Sequence, residues 1–262
     1  MDIQSWDEVK QVEQSFFDPD LLKTEYMQKC RECYYLNKDK SLPINCNRNY
    51  LNYLHYFNAI QNHREEHAKH FAKEIKQYQR DIKQCESIIS EVIVYHYYIY
   101  LIKEGLIHSI DIETKECDLI IERCDGSRFY LEIFCIMPDP KEDENGVWDI
   151  QTHTQEAKSS IRQKLLRKAK KQKQFSKDRE NFAVIEMNDF RIANDFVIQS
   201  SLSDGYKVTF NIKTRETIRE GYDWSDSVFE LPETRFLKGV IWFKLGNYQH
   251  RQVLINPRYR LH

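Results

Sequence analysis

The strongest structural signal in this 262-residue chain is the stretch Cys117-Asp118-Leu119-Ile120-Ile121-Glu122-Arg123-Cys124-Asp125-Gly126-Ser127-Arg128-Phe129-Tyr130-Leu131-Glu132-Ile133-Phe134-Cys135. Two apolar runs flank an Asp-Gly turn, which predicts an antiparallel hairpin with strands at 117–123 and 128–136. Asp118 opens the first strand and Glu132 interrupts the second, and the hydrophobic pattern explains neither acid. Because an unpaired carboxylate on a buried strand is costly to desolvate, we expect a cation beside them.

Helices and strands alternate on both sides of this hairpin. A tyrosine-rich helix ends at Gly105, a natural C-cap. The other predicted elements are a strand at 106–112, a polar loop at 137–154, a basic helix at about 155–177, a strand at 182–187, a helix at 193–202, and strands at 206–212, 237–244 and 251–255. This order predicts an α/β fold over residues 87–262, with a mixed sheet flanked by helices.

Residues 1–86 are predicted to form an α-helical N-terminal extension. A long helix begins near Asn49, and its apolar positions alternate spacings of four and three, the a/d pattern of a coiled coil. These positions are Phe71, Ile75, Tyr78, Ile82, Cys85, Ile89 and Val92. The pattern predicts helix pairing, either within the chain or between two copies in a homodimer formed through the N-terminal helices.

The hairpin and the elements around it, over roughly residues 87–190, resemble the PD-(D/E)xK, or restriction-endonuclease-like, nuclease superfamily. That family has an acid on its first helix, an Asp at the start of its second strand and a Glu-x-Lys motif on its third strand. The corresponding acids in this chain are Glu91, Asp118 and Glu132. The resemblance implies an αβββαβ core, three catalytic acids, and hydrolysis of phosphodiester bonds in DNA or RNA. It implies Mg²⁺ or Mn²⁺ held by Asp118 and Glu132, and both ions prefer oxygen ligands. Structural alternatives are a strand cap at Asp118, a simple ion pair at Glu132 and a dipole-related acid at Glu91.

The lysine of the family motif is absent, because Phe134 stands at its position. Residues two apart in a strand share a face, so Glu132 and Phe134 are expected to point the same way. The family lysine orients and activates the attacking water. The basic helix can supply a substitute, since helical spacing places Lys164 and Lys168 on one face. The alternative is a catalytically inactive module that keeps the fold and binds nucleic acid or a protein partner.

The basic helix also suggests a partner. Ten lysines and arginines and one acid, Asp178, lie between Lys158 and Arg179. A solvated helix face is the ordinary interpretation of such a run. Beside a site that cleaves phosphodiesters, it predicts phosphate contacts from Lys170, Lys171 and Lys173 and therefore a nucleic-acid partner.

Composition limits the class of protein. The formal net charge is -2, aromatic residues make up 13%, and the seven cysteines are an odd number. No apolar run approaches the ~20 residues that span a bilayer, and the N-terminus lacks a signal-peptide core. We therefore expect a cytoplasmic protein with free thiols and no membrane partner.

Three further motifs are alternatives to the hairpin acids as the functional site. Cys30, Cys33 and Cys46 with His55 have zinc-ligand chemistry, although a second CxxC motif is missing. His63-Arg64-Glu65-Glu66-His67 matches the H-x-x-E-H string of some metalloproteases on an otherwise polar helix. The tyrosines Tyr95, Tyr97, Tyr98 and Tyr100 can stack on bases, although core packing is the more common role of such a run.

Overall fold

The structure, a computed structural model, describes residues 6–36, 50–113, 117–137, 150–171, 175–189, 192–225, 227–256 and 259. Its helices are α1 (Trp6–Gln14), α2 (Pro19–Leu22), α3 (Glu25–Leu36), α4 (Tyr50–His63), α5 (Glu65–Tyr78), α6 (Ile82–Lys103), α7 (Ile150–Lys171) and α8 (Asp195–Leu202). Its strands are β1 (Ile107–Ile112), β2 (Leu119–Arg123), β3 (Arg128–Ile136), β4 (Glu180–Met187), β5 (Tyr206–Phe210), β6 (Thr217–Tyr222), β7 (Leu237–Lys244) and β8 (Asn247–Ile255). The predicted α/β class is confirmed.

Six strands form one mixed sheet in the order β1-β2-β3-β4-β7-β8. The pairs β3-β4 and β4-β7 are parallel, and the other neighbours are antiparallel. The predicted hairpin is present as β2 and β3, in which Leu119 lies opposite Leu131 and Ile121 opposite Phe129. Gly126 adopts φ +80° in the turn, a conformation that favours glycine.

Helices cover both faces of this sheet, as the alternation of side chains along β4 shows. Phe182 and Val184 belong to a core shared with α4, α5 and α6, whereas Ala183 and Ile185 belong to a second core shared with α7 and α8. The same alternation places Ile133 in the first core and Phe134 in the second. The central strands are therefore buried on both faces, which explains why their sequences are nearly continuous apolar runs.

The expected long helix from Asn49 is wrong, because this segment forms three helices. Arg64 is extended (φ -153°) between α4 and α5. Asp81 is also extended, and its side chain caps α6 by accepting a hydrogen bond from the Gln84 N–H at 3.1 Å. The three-and-four spacing continues across this break because α5 and α6 turn their apolar faces toward the same core.

The apolar a/d positions from Phe71 to Val92, called the seam below, therefore pack within the chain. Phe71, Ile75 and Ile89 are completely buried, whereas Tyr78 and Ile82, beside the break, are 37% and 40% exposed. The homodimer stays a prediction. The expected domain boundary at residue 86 falls inside α6, and the core on this side of the sheet joins residues of the N-terminal helices to residues of β2, β3 and β4.

Other differences concern element bounds. The basic helix α7 begins at Ile150 instead of near 155, and residues 175–177, where helix was expected, are not helical. Most of the predicted loop at 137–154 lies outside the described residues. Strand β8 begins at Asn247 instead of 251, and β6 was not predicted because its exposed sequence Thr217-Ile218-Arg219-Glu220-Gly221-Tyr222 has little apolar alternation. Across the described ranges, no helix is both long enough and apolar enough to cross a membrane.

Candidate functional site

A polar cleft of about 450 Å³ opens where α5 and α6 meet α7 and the ends of β1, β2 and β3. Four of the five predicted catalytic residues line it: Glu91, Asp118, Lys164 and Lys168. The fifth, Glu132, contacts the lining residue Lys168. The remaining lining residues are His70, Glu74, Asp81, Lys83, Gln84, Ser87, Ile112, Glu113, Ile133, Phe134 and Arg167. The cleft thus combines acids from two helices and a strand end with cations from α7.

Asp118 is fixed by the backbone of the hairpin. It lies directly before β2, and its Oδ2 accepts a hydrogen bond from the Ile133 N–H at 2.6 Å. Its own N–H donates to the Leu131 carbonyl at 3.0 Å. The hairpin register therefore holds this carboxylate beside the middle of β3.

Glu132 forms a buried ion pair with Lys168. The Glu132 side chain is 1% exposed and the Lys168 side chain 14% exposed, and the Lys168 ammonium contacts Oε1 of Glu132. The other oxygen, Oε2, is buried without a hydrogen-bond partner among the described residues. One carboxylate oxygen therefore remains free to accept a further ligand, and an unsatisfied buried oxygen of this kind calls for a physical explanation.

Phe134 occupies the space beside Lys164 and Lys168 of α7. Its buried ring has its centroid 6.0 Å from the Lys168 Nζ and 5.8 Å from the Lys164 Nζ. The Lys164 ammonium donates a hydrogen bond to the Cys135 carbonyl at 2.6 Å. The two lysines therefore differ in role: Lys168 meets a side-chain carboxylate, whereas Lys164 is bound to the backbone of β3.

Glu91 and Asp118 hold their protons more tightly than ordinary carboxyls. Burial raises the pKa of Glu91 well above its usual value, and the nearby charges of Asp118 and Glu74 raise it further. Burial also raises the pKa of Asp118, against the opposing effects of the Lys168 charge and the Ile133 N–H. Because the Asp118 charge raises the pKa of Glu91, the two acids lie close enough to form a site that a bound cation would stabilise.

Sequence reasoning did not assign Glu74 and His70 to this site, although they bring a further acid and an imidazole to the cleft from α5. The His70 Nε2 lies 3.5 Å from Glu74 Oε2, and burial raises the pKa of Glu74. Their i,i+4 spacing is visible in the sequence, but it is also ordinary on a solvated helix. Only the packing of α5 beside α6 brings them to Asp118.

Of the three predicted nucleic-acid contacts, Lys170 does not line this cleft. Lys170 is exposed and its Nζ lies 3.0 Å from Glu233 Oε1. Lys171 ends α7, but its side chain and all of Lys173 lie outside the described residues. The three positions thus stay predictions.

The zinc hypothesis loses Cys33 as a ligand. Cys33 is disulfide-bonded, so the expectation of free thiols is wrong there, although it holds at Cys30, Cys85, Cys117, Cys124 and Cys135. Cys46 lies outside the described residues, and the His55 Nε2 is 3.9 Å from Glu8 Oε1. Within the described ranges, no three His, Cys, Asp or Glu side chains converge closely enough to hold a metal ion.

The H-x-x-E-H string does not share one helix, because Arg64 separates His63 in α4 from His67 in α5. Both ring nitrogens of His67 already have partners. Its Nδ1 lies 2.7 Å from the Tyr95 hydroxyl, and its Nε2 lies 3.2 Å from Asp111 Oδ1. Tyr95 and Tyr98 are buried, as core packing predicts, whereas Tyr97 is partly exposed and Tyr100 is 52% exposed.

Comparison of the chain with protein-family models, curated proteins and solved structures gives no match.

Proposed function

We propose that the protein is a metal-dependent nuclease that hydrolyses phosphodiester bonds in DNA or RNA within the cleft. The observation that carries this proposal is the Lys168–Glu132 ion pair, which brings a lysine to the acid at which the nuclease motif lacks one. Asp118 and Glu91 line the same cleft. A buried ion pair stabilises a fold poorly compared with apolar packing, so its presence favours a functional role.

The proposal includes a restriction-endonuclease-like core built from α6, β1, β2, β3, α7 and β4. These elements follow one another in the α, β, β, β, α, β order of that family. The acids assigned to the helix, the second strand and the third strand all lie at this end of the core. The order and the acids support the proposal together.

Asp118 and Glu132 are the residues that would hold Mg²⁺ or Mn²⁺. The unpartnered Glu132 Oε2 and the raised pKa values of Glu91 and Asp118 fit a site that receives a cation. Mg²⁺ commonly binds through one or two carboxylates and several waters, so a cluster of three protein ligands is not required. When bound, the ion would polarise the scissile phosphate and acidify the attacking water.

The chain's own cations prepare the cleft for a phosphate backbone. Lys168 is positioned by Glu132 and by the neighbouring Phe134 ring, so its ammonium is held in one place to orient the attacking water. Lys83 and Arg167 line the cleft and supply positive charge for the phosphates on either side. Phe134 excludes water from one side of the site.

A second candidate is a catalytically inactive module that binds nucleic acid or a protein partner. It is favoured by Phe134, whose buried ring takes the position of the family lysine. It predicts binding without cleavage, whereas the nuclease proposal predicts both.

Calorimetry with Mn²⁺ and cleavage of plasmid, single-stranded DNA and RNA test the proposal. The nuclease should bind the ion and cleave at least one substrate, and Asp118→Ala should abolish both because the metal loses a ligand. Asp178→Ala is the matched control, since Asp178 is an exposed acid away from the cleft. A wild-type protein that neither binds Mn²⁺ nor cleaves would exclude the enzyme. Mn²⁺-dependent cleavage that Asp118→Ala abolishes would exclude the inactive module.

A further inference from the structure

A second cavity, of about 270 Å³, lies on a different face of α6 from the cleft. The cleft uses Gln84, Ser87 and Glu91 of this helix, whereas the second cavity uses Ile93, His96, Tyr97 and Tyr100. Tyr56 of α4 and the turn between β7 and β8 complete it. This turn belongs to the edge of the sheet opposite β1, so the two concavities are separate sites.

Aromatic rings form most of the cavity wall. The Tyr56 and His96 rings are tilted at 34° with centroids 4.4 Å apart, and the Tyr97 ring lies 5.1 Å from the Tyr248 ring. Tyr100, which also lines the cavity, is half exposed at 52%. Core packing explains the buried Tyr95 and Tyr98, but it does not explain an open cavity whose rim is a half-exposed tyrosine.

The charges at this cavity favour an anionic ligand with an uncharged ring. Burial and the nearby charges of Lys103 and His55 lower the pKa of His96, so its imidazole is neutral near pH 7. The Arg251 guanidinium stacks 4.5 Å over Tyr97 and adds positive charge at the rim. The buried carboxylate nearby, Glu186, accepts hydrogen bonds from the Ser90 hydroxyl and the Gly246 N–H, so both of its oxygens are already hydrogen-bonded. The Arg251 guanidinium therefore favours an anionic ligand over a cationic one.

We propose that this cavity binds a nucleobase that carries a phosphate. The base stacks on Tyr100 and Tyr97, and the side-chain amides of Asn247 and Gln249 contact its polar edge. Arg251 binds the phosphate, because its guanidinium is already oriented by the Tyr97 ring. The ligand is either a free mononucleotide or one nucleotide of a single strand, and the site is independent of the function proposed for the cleft.

Binding of adenosine 5′-monophosphate (AMP), adenosine and ribose 5-phosphate, followed by saturation-transfer NMR, tests the base and the phosphate separately. AMP should bind more tightly than either fragment. Tyr100→Ala should weaken AMP binding at least about tenfold, because a stacking contact is lost, while Tyr100→Phe should retain it. Tyr78→Ala is the matched control, a partly exposed tyrosine outside the cavity. Arg251→Ala should reduce AMP binding to the level of adenosine.

A labelled oligo-deoxyadenylate, followed by fluorescence anisotropy, distinguishes the two sources of the ligand. Preference for AMP supports a mononucleotide site, and tighter oligonucleotide binding that is lost in Tyr100→Ala supports a strand-anchoring site. Asp118→Ala should leave AMP binding unchanged, so failure of the nuclease proposal does not affect this result. The inference is overturned if ribose 5-phosphate binds as well as AMP, if Tyr100→Ala binds AMP normally, or if neither AMP nor the oligonucleotide binds.

Discussion

Lys168 is a largely buried cation in α7, the helix in which Arg167 and Lys170 are exposed. Its partner Glu132 is almost completely buried, and each group would be an uncompensated charge without the other. Such pairs stabilise proteins weakly, because desolvation offsets most of their Coulombic attraction. Removing one partner is nevertheless strongly destabilising. Loss of Lys168 is therefore expected to lower the free energy of unfolding as well as the rate of cleavage.

Lys168→Ala should lower the free energy of unfolding by roughly 3–5 kcal/mol, because Glu132 is left as a buried, unpaired charge. Lys170→Ala removes an exposed pair with Glu233 and should change it by less than about 1 kcal/mol. Urea denaturation of the two variants measures both values. The double replacement Lys168→Met with Glu132→Leu should recover most of the loss. Equal, small effects of Lys168→Ala and Lys170→Ala would show that Glu132 does not depend on this pair.

The raised pKa values of Glu91 and Asp118 predict how stability depends on pH. Between the ordinary pKa and the raised one, the native state binds more protons than the unfolded chain, so stability falls as pH rises through this interval. Mn²⁺ should restore stability above the interval and have little effect below it, where the carboxyls are protonated. Melting temperatures measured against pH, with and without Mn²⁺, test this. Asp118→Asn should flatten the pH dependence and remove the Mn²⁺ effect; a metal-independent melting temperature at neutral pH would contradict the prediction.

At the scale of elements, the sequence predicted the hairpin, the central strands and the basic helix because each depends on local pattern. Asp125-Gly126 sets the turn, and the alternation of Leu131, Glu132 and Ile133 sets the faces. The choice between Lys164 and Lys168 could not be predicted, because both share a helix face and only the docking of α7 on the sheet decides which one meets Glu132. The break at Asp81 was missed for a similar reason, since the apolar spacing continues across it.

The break between α5 and α6 gives a prediction that separates the two interpretations of the seam. Ile89→Asp should destabilise the whole protein by several kcal/mol, because residue 89 is completely buried in the core shared with the sheet. Ile82→Asp should be tolerated, since Ile82 is 40% exposed. Denaturation measures stability, and sedimentation measures oligomeric state. Conversion of a dimer to a folded monomer by Ile82→Asp would show that the seam also joins two copies.

At the scale of the whole molecule, acids and cations are concentrated together at one cleft. Glu74, Glu91 and Asp118 line it, and α7 adds Lys164, Arg167 and Lys168. The formal net charge of -2 does not reveal this concentration of opposite charges. A nucleic acid held by α7 would therefore present its backbone to the acids only if a cation lay between them.

Replacing Lys170, Lys171 and Lys173 together by Ala should weaken nucleic-acid binding and flatten its salt dependence. Each phosphate contact removed should lower the logarithmic slope by roughly 0.7–0.9. Anisotropy titrations across a range of salt concentrations measure the slope. Replacing Lys10, Lys23 and Lys29 in the N-terminal helices removes the same charge elsewhere and should change the slope less. The absence of salt-dependent binding would remove nucleic acid as a partner.

Single-turnover cleavage by Lys168→Ala and Lys164→Ala, in Mn²⁺ and under conditions where both variants are folded, tests the proposed nuclease site most directly. Lys168→Ala should lose cleavage by orders of magnitude while its affinity for nucleic acid changes little, because the lysine acts mainly in the transition state. Lys164→Ala should lose much less, since Lys164 binds the Cys135 carbonyl instead of an acid. Equal losses in the two variants, or wild-type levels of cleavage in Lys168→Ala, would contradict the assignment of Lys168.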